Sequence, residues 1–321
     1  MKKILITCDT ELGELSKDIN NAFEIFIEGK VFDKTVGYTL INEIANEYKA
    51  IVTHFVDAYP CEFAGDKKFA ILCNSIMENG HKIELHTHPS SKFDRRRRYL
   101  HQYNEKEQQK IIAFGKKKIY EWTGYEVSVH RAGGYGINYD TFQVLKDEGI
   151  VMDTSFLHGN EVCLYKAVLY NAPFQVNGIL EIPITVYQRD VIYWPGIKKS
   201  CYQKLDFRYG SNAQEILSVI AKMPMDSIII LFLHSFNFLN LPYNFRTAKY
   251  GEITVNKNLI EQYHKVLQGL KQNKDCVFCC FSDLNFDEQY DDFLVNITQK
   301  GKWSSVLQRK LDKIINKKGN V

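Results

Sequence analysis

The chain has 321 residues, 45% of them hydrophobic, with 41 Lys+Arg against 38 Asp+Glu and a formal net charge of +3. Such fractions belong to a globular protein and exclude a disordered or fibrous chain. So small a net charge gives no reason to expect a nucleic-acid partner.

Residues 3–7 read as a strand whose apolar run stops at Cys8-Asp9. That is short of the about 7–15 apolar residues of a secretory leader. Residues 39–49 place apolar side chains at helical spacing, and 50–56 then read as a strand. A helix over 67–79 is closed by Gly80, and 81–86 is the next strand. A charged helix over 104–122 ends before Gly124; strand 127–130, helix 139–148 and strand 149–152 follow. From 155 to 210 aromatic and β-branched residues abound without a long helix, so an irregular excursion of strands and loops is expected. The rhythm returns with helix 212–222, strand 227–233, helix 256–272 and strand 276–281. Strands alternating with helices predict a parallel α/β sheet, and about seven such units are enough to close a barrel. The barrel is expected over 1–287, followed over 288–321 by a helical extension with a basic tail.

No apolar run approaches the roughly 20 residues that cross a bilayer, so no integral membrane span is expected. The eight cysteines show no framework spacing, which points to reduced thiols in a cytoplasmic protein. Cys276 and Cys279 have C-x-x-C spacing. On a strand, residues three apart face opposite ways, so they are expected to pack rather than share a metal.

In a parallel α/β sheet, chemistry collects at the C-terminal ends of the strands. Here those ends carry Asp9-Thr10-Glu11, His86-Thr87-His88-Pro89, His130-Arg131 with Gly133-Gly134-Tyr135-Gly136, Asp153, and His234. Extended backbone turns Asp9 and Glu11 to one side and Thr10 to the other, and does the same for His86 and His88. Two carboxylates and two imidazoles at one mouth offer O/N ligands to a divalent, zinc-like ion and keep one carboxylate free. Arg131 supplies a fixed cation for that carboxylate. The glycine-rich turn permits exposed backbone N–H groups for a developing oxyanion. His234 with Asp153 would make a second acid/base pair.

Taken in order, these residues resemble the motifs of the polysaccharide deacetylases, the NodB-homology group of carbohydrate esterase family 4. The likeness is to the branch with Asp-x-Glu and His-x-His-Pro motifs, and it spans residues 3 to 235. Thr7-Cys8-Asp9-Thr10-Glu11 stands where the family has Thr-Phe-Asp-Asp. Gly80 to His86 is similar to Gly-His-Glu-Ile-x-x-His, and His88-Pro89 to the second His-Pro. Arg131 to Gly136, Asp153 and Leu233-His234 resemble the third, fourth and fifth motifs. The resemblance implies a distorted (β/α)7 barrel that removes an N- or O-acetyl group from a sugar with one divalent metal, zinc or a similar ion. It implies Asp9 as catalytic base with Arg131 as its partner, His86 and His88 as metal ligands, and His234 as general acid oriented by Asp153. Backbone near Gly134 and Tyr135 would form part of the oxyanion hole. Two departures stand out. Thr10 replaces the family's metal-binding Asp, and the two histidines are closer together than the common pattern. Glu11 is the replacement ligand, or Asp9 binds the metal and Glu11 is the base.

Other residues carry less. The run Arg95 to Arg98 reads as a solvated loop face, with a clamp for phosphate or an acidic sugar as the alternative. His101 is a candidate replacement ligand, while His54 and His130 read as packed. Tyr187, Tyr193 and Trp194 suit either a sugar-stacking platform or ordinary β packing. The leading expectation is a cytoplasmic metal-dependent deacetylase of a sugar or glycan biosynthetic intermediate. Behind it stand an inactive barrel that binds carbohydrate or a partner, and third a carboxylate-pair glycoside hydrolase built on Asp9 and Glu11.

Overall fold

A computed structural model describes residues 1–12, 21–194, 197–207, 212–244, 249–285 and 288–300. Its principal sheet is a curled half-barrel. Strands β1 (Lys2–Thr10), β2 (Val52–Asp57), β3 (Lys82–Thr87), β4 (Val129–Ala132) and β5 (Met152–Asp153) lie side by side and parallel. The sheet continues through β7 (Ile179–Glu181), parallel to β5, to its antiparallel partner β6 (Phe174–Val176). On the other side, β10 (Ile228–His234) runs parallel to β1 from Lys3–Ile228 to Asp9–His234. Strand β11 (Cys276–Phe278) pairs with the first residues of β1, so β1 is a branch point.

Both faces of β1 to β5, β7 and β10 are largely buried, and the period-two alternation sorts their side chains. Leu5, Phe55, Val129, Met152, Leu180, Ile228 and Ile230 fill the inside of the curl. Ile4, Ile6, Cys8, Val56, Ile83, Leu85 and Leu231 meet the apolar stripes of the outer helices. Those helices are α1 (Tyr38–Glu47), α2 (Asp66–Glu78), α3 (Glu105–Thr123), α4 (Tyr139–Asp147), α5 (Ala213–Lys222) and α6 (Lys257–Gln272). Asparagine starts four of them: the side chains of Asn104, Asn138, Asn212 and Asn256 each accept a first-turn N–H. As expected from C-x-x-C on a strand, Cys276 packs toward the helices and Cys279 toward the inside of the curl.

Between β7 and β10 no ladder forms. The Ile230 N–H donates to Thr185 Oγ1 at 2.8 Å, the Leu205 N–H donates to the Thr185 carbonyl at 3.2 Å, and a single bridge joins Asp206 to Phe232.

The region after Asp153 supplies β6 and β7 and then a hairpin of β8 (Val186–Trp194) and β9 (Ile197–Lys204). A buried ion pair between Arg189 and Glu215 ties this hairpin to α5. The helical extension expected from 288 needs correction. Val295–Lys300 is a strand, β12, parallel to β8. Val295 and Ile297 are buried while Asn296 and Thr298 are exposed, a period of two that a helix does not satisfy. Residues 301–321, expected as helix and basic tail, lie outside the described residues. Among the described residues no helix is long and apolar enough to cross a membrane.

Candidate functional site

The last residues of β1 separate as extended backbone requires. Thr10 turns outward and bonds His54 Nδ1 at 2.8 Å, while His54 Nε2 reaches Asn42 at 2.7 Å. Asp9 turns inward, where Arg131 Nη1 donates to its Oδ1 at 2.7 Å. Burial opposes ionisation of Asp9, but His86, Arg131 and His234 outweigh it and hold the carboxyl below its usual range. Glu11 follows on the same side, and His88 and His86 hold its carboxyl well below the ordinary value against the opposing effect of burial.

Strand β3 delivers the imidazoles. His86 Nε2 lies 3.2 Å from Glu11 Oε2 and 3.6 Å from Asp9 Oδ2. His88 Nε2 lies 2.5 Å from Glu11 Oε2 and 3.1 Å from His86 Nε2. Glu11, His86 and His88 each bring one donor atom to within 4.8 Å of the others. The donor set fits a divalent ion of zinc type, one carboxylate oxygen and two imidazole nitrogens. The tautomer fits as well. His86 Nδ1–H donates to the Arg131 carbonyl at 2.8 Å, which leaves the Nε2 lone pair facing Glu11 and His88. Burial weighs against a charged His88, yet Glu11 pushes that ring up to about 9.

Strand β4 sends Arg131 inward, fully buried. Its guanidinium sits 4.1 Å over the Phe55 ring and bonds Thr7 Oγ1 and the Thr154 carbonyl besides Asp9. The turn Gly133–Tyr135 follows. A Cβ on Gly133 would lie 2.6 Å from the His88 ring, so only glycine lets the turn rest against that imidazole. Gly134 (φ 59°) and Tyr135 (φ 64°) both adopt left-handed backbone, a strained state for tyrosine. Tyr135 Oη accepts from Lys204 Nζ at 2.9 Å.

The pairing of Asp153 with His234 needs correction. Asp153 Oδ1 accepts from His130 Nδ1 at 2.7 Å and from Ser155 Oγ at 2.9 Å. His130 and Asp153 are register partners on β4 and β5, each one residue out of phase with the inward-facing Val129 and Met152. Both therefore point outward. Burial would raise the Asp153 carboxyl, but His130 holds it down, while burial and the Asp153 charge push the Glu181 carboxyl well above the ordinary carboxylate range. His234 instead faces inward at the end of β10, with Nε2 3.8 Å from Glu11 Oε1 and its ring stacked on Phe236 at 5.0 Å.

Asp57 is a site residue that the sequence reading passed over. It ends β2 beside His86, buried, and burial pushes its carboxyl up to about 6 against the pull of His88 and His86. The expected strand stopped at residue 56, one short of the strand-end position that the other five segments had flagged. His101 stacks on Tyr99 rather than joining the Glu11–His86–His88 group. Within the arginine run, Arg97 is bound by Asp94 and Glu107 while Arg95 and Arg96 are exposed. Tyr187 is buried and donates to Glu215, so it is no stacking platform. The side chains of Tyr193 and Trp194 lie outside the described residues.

No family model and no curated protein sequence matches this chain. Solved structures do. A Mycobacterium smegmatis protein assigned as a polysaccharide deacetylase aligns with TM-score 0.57 over 88% of this chain and 87% of its own, at 15% identity. Looser matches are the Xyl-CE4 domain of a multidomain xylanase from the hindgut metagenome of Trinervitermes trinervoides and a family 4 carbohydrate esterase from Streptomyces lividans in complex with acetate. The first has TM-score 0.44 at 11% identity over 92% and 97% of the two chains; the second has 0.42 at 9% over 86% and 89%. By the first of these likenesses, the chain has the polysaccharide deacetylase fold.

Proposed function

We propose that this protein is a metal-dependent hydrolase that removes an N- or O-acetyl group from a sugar or glycan intermediate. One observation carries the reading. A three-donor group of Glu11, His86 and His88 lies beside a carboxylate, Asp9, that a buried arginine holds ionised. That division supports Glu11 as ligand and Asp9 as base. When bound, the metal would supply Lewis acidity toward the acetyl carbonyl.

The remaining work falls to the chain. Asp9, unprotonated and 3.6 Å from His86, takes the proton of the attacking water. Arg131 keeps that carboxylate fixed and charged until the proton arrives. His234, on the opposite side of Glu11 and partly open to solvent, returns a proton to the departing nitrogen or oxygen. The backbone of Gly134 and Tyr135, turned by consecutive left-handed residues, offers N–H groups to the oxyanion. A cytoplasmic setting is supported by the cysteine pattern, which lacks framework spacing, and a biosynthetic intermediate is the substrate that such a setting would supply.

The test is acetate release from acetylated sugars presented free, nucleotide-linked, lipid-linked and as oligomers, with zinc supplied. Release from at least one class, abolished by chelation and restored by zinc, is the expected result. Tight binding of the sugars without release would instead favour a carbohydrate-binding barrel, the reading that Thr10, turned outward onto His54, supports.

A further inference from the structure

Asp57 is 2% exposed at the end of β2, and the strand register sets it between two groups of the site. It is the direct partner of His86 on β3. One rung beyond the Thr10–Val56 pair it also stands beside Glu11. Its one hydrogen bond among the described residues is from the Tyr59 N–H at 3.2 Å. Among the described residues no fixed cation serves it, since the guanidinium of Arg131 is turned to Asp9. The imidazoles of His86 and His88 face it, but as metal ligands they must be neutral. An ionised carboxylate buried without a counter-charge is strongly disfavoured. Arg131 serves Asp9, so a divalent ion held by Glu11, His86 and His88 is the cation that the Asp57 carboxylate would face.

We infer that Asp57 is the charge-balancing second carboxylate of a metal centre built on Glu11, His86 and His88. The inference rests on the metal reading proposed above and deepens it with a residue outside the expected ligand set. Asp57 acts on the bound cation, so its removal should weaken binding while relieving the metal-free protein of a buried charge. A structural carboxylate would do the opposite to the metal-free protein.

The experiment is a zinc titration of the full chain against a chelating chromophore, together with thermal melting of the metal-free protein. It compares the wild type with Asp57→Asn and Asp57→Ser. The wild type should take up one zinc, and both variants should bind it about 10-fold or more weakly. Their metal-free melting temperatures should equal or exceed that of the wild type. A smaller loss of affinity overturns the role of Asp57. So does a loss accompanied by a lowered metal-free melting temperature in both variants, which marks general damage. A wild type that binds no zinc overturns the metal reading itself, and the two failures are thereby told apart.

Discussion

Arg131 lends its side chain to Asp9 and its backbone carbonyl to His86, so one residue sets the spacing between the ionised carboxylate and the imidazole pair. The roles proposed for the carboxylates separate by substitution. Asp9→Asn should keep zinc but lose about 10²-fold or more in rate, whereas Glu11→Gln should lose zinc affinity first. Equilibrium dialysis and acetate assays on the two variants check this, and the reverse pattern would exchange their roles. Gly133 offers a subtler probe. An added methyl group would meet the His88 ring at 2.6 Å, so Gly133→Ala should displace that ligand and weaken zinc binding, though residue 133 has no ligand atom of its own. Unchanged affinity would show that the turn yields instead of the ring.

At the scale of the strand, phase decides function. Asp153 stands next to the inward-facing Thr154, whose carbonyl accepts from Arg131, yet Asp153 itself points away into a buried group with His130, Ser155 and Glu181. Asp153→Ala should therefore leave the alkaline limb of the kcat profile in place while costing stability by about 1–3 kcal/mol, the price of stranding buried donors. Urea unfolding and a pH–rate series measure both; a moved limb would restore a link to His234. The same phase shows what the sequence could disclose. Asp9 with Glu11, and His86 with His88, were legible because each pair repeats at two residues and one face must serve the mouth. Asp153 was not, because both faces of Met152–Asp153 are buried and no alternation of polar and apolar residues marks the inward one. Strand β12 was missed for another reason: its partner β8 lies over a hundred residues earlier, and such pairing leaves only a short local signature. Asp57 fell to a boundary drawn one residue early.

For the molecule as a whole, the outer layer carries a pH liability on the face of the sheet turned away from the site. Burial, aided by the neighbouring His81, pushes His54 down from 6.5 to about 3, and burial brings His81 down to about 4. The unfolded chain takes up these protons near pH 6.5 and the folded one refuses them. Stability is thus full above pH 6.5 and falls as the pH drops toward 4. His54 alone should contribute a slope of about 1.4 kcal/mol per pH unit in that window. His54→Gln should make the fall between pH 6.5 and 4.5 shallower by about one proton, as read from urea midpoints; an unchanged slope would mean that the ring protonates without unfolding.

The gap between β7 and β10 bears on motion. Elsewhere the sheet is laced by continuous ladders, but here the Ile230 amide is held by a hydroxyl and the Phe232 amide by the carbonyl of Leu205, the residue just after the hairpin. Side-chain bonds and lone bridges open at lower free energy than ladder rungs. Amide exchange at Ile230 and Phe232 should therefore outpace that at the paired amides of β1, although both strands are equally buried. His234 lies at the end of the strand that borders this gap, held from the other side by its register pairing with Asp9. The residue proposed to return the proton is thus laddered on one side alone, while Asp9 sits between the ladders to β10 and β2.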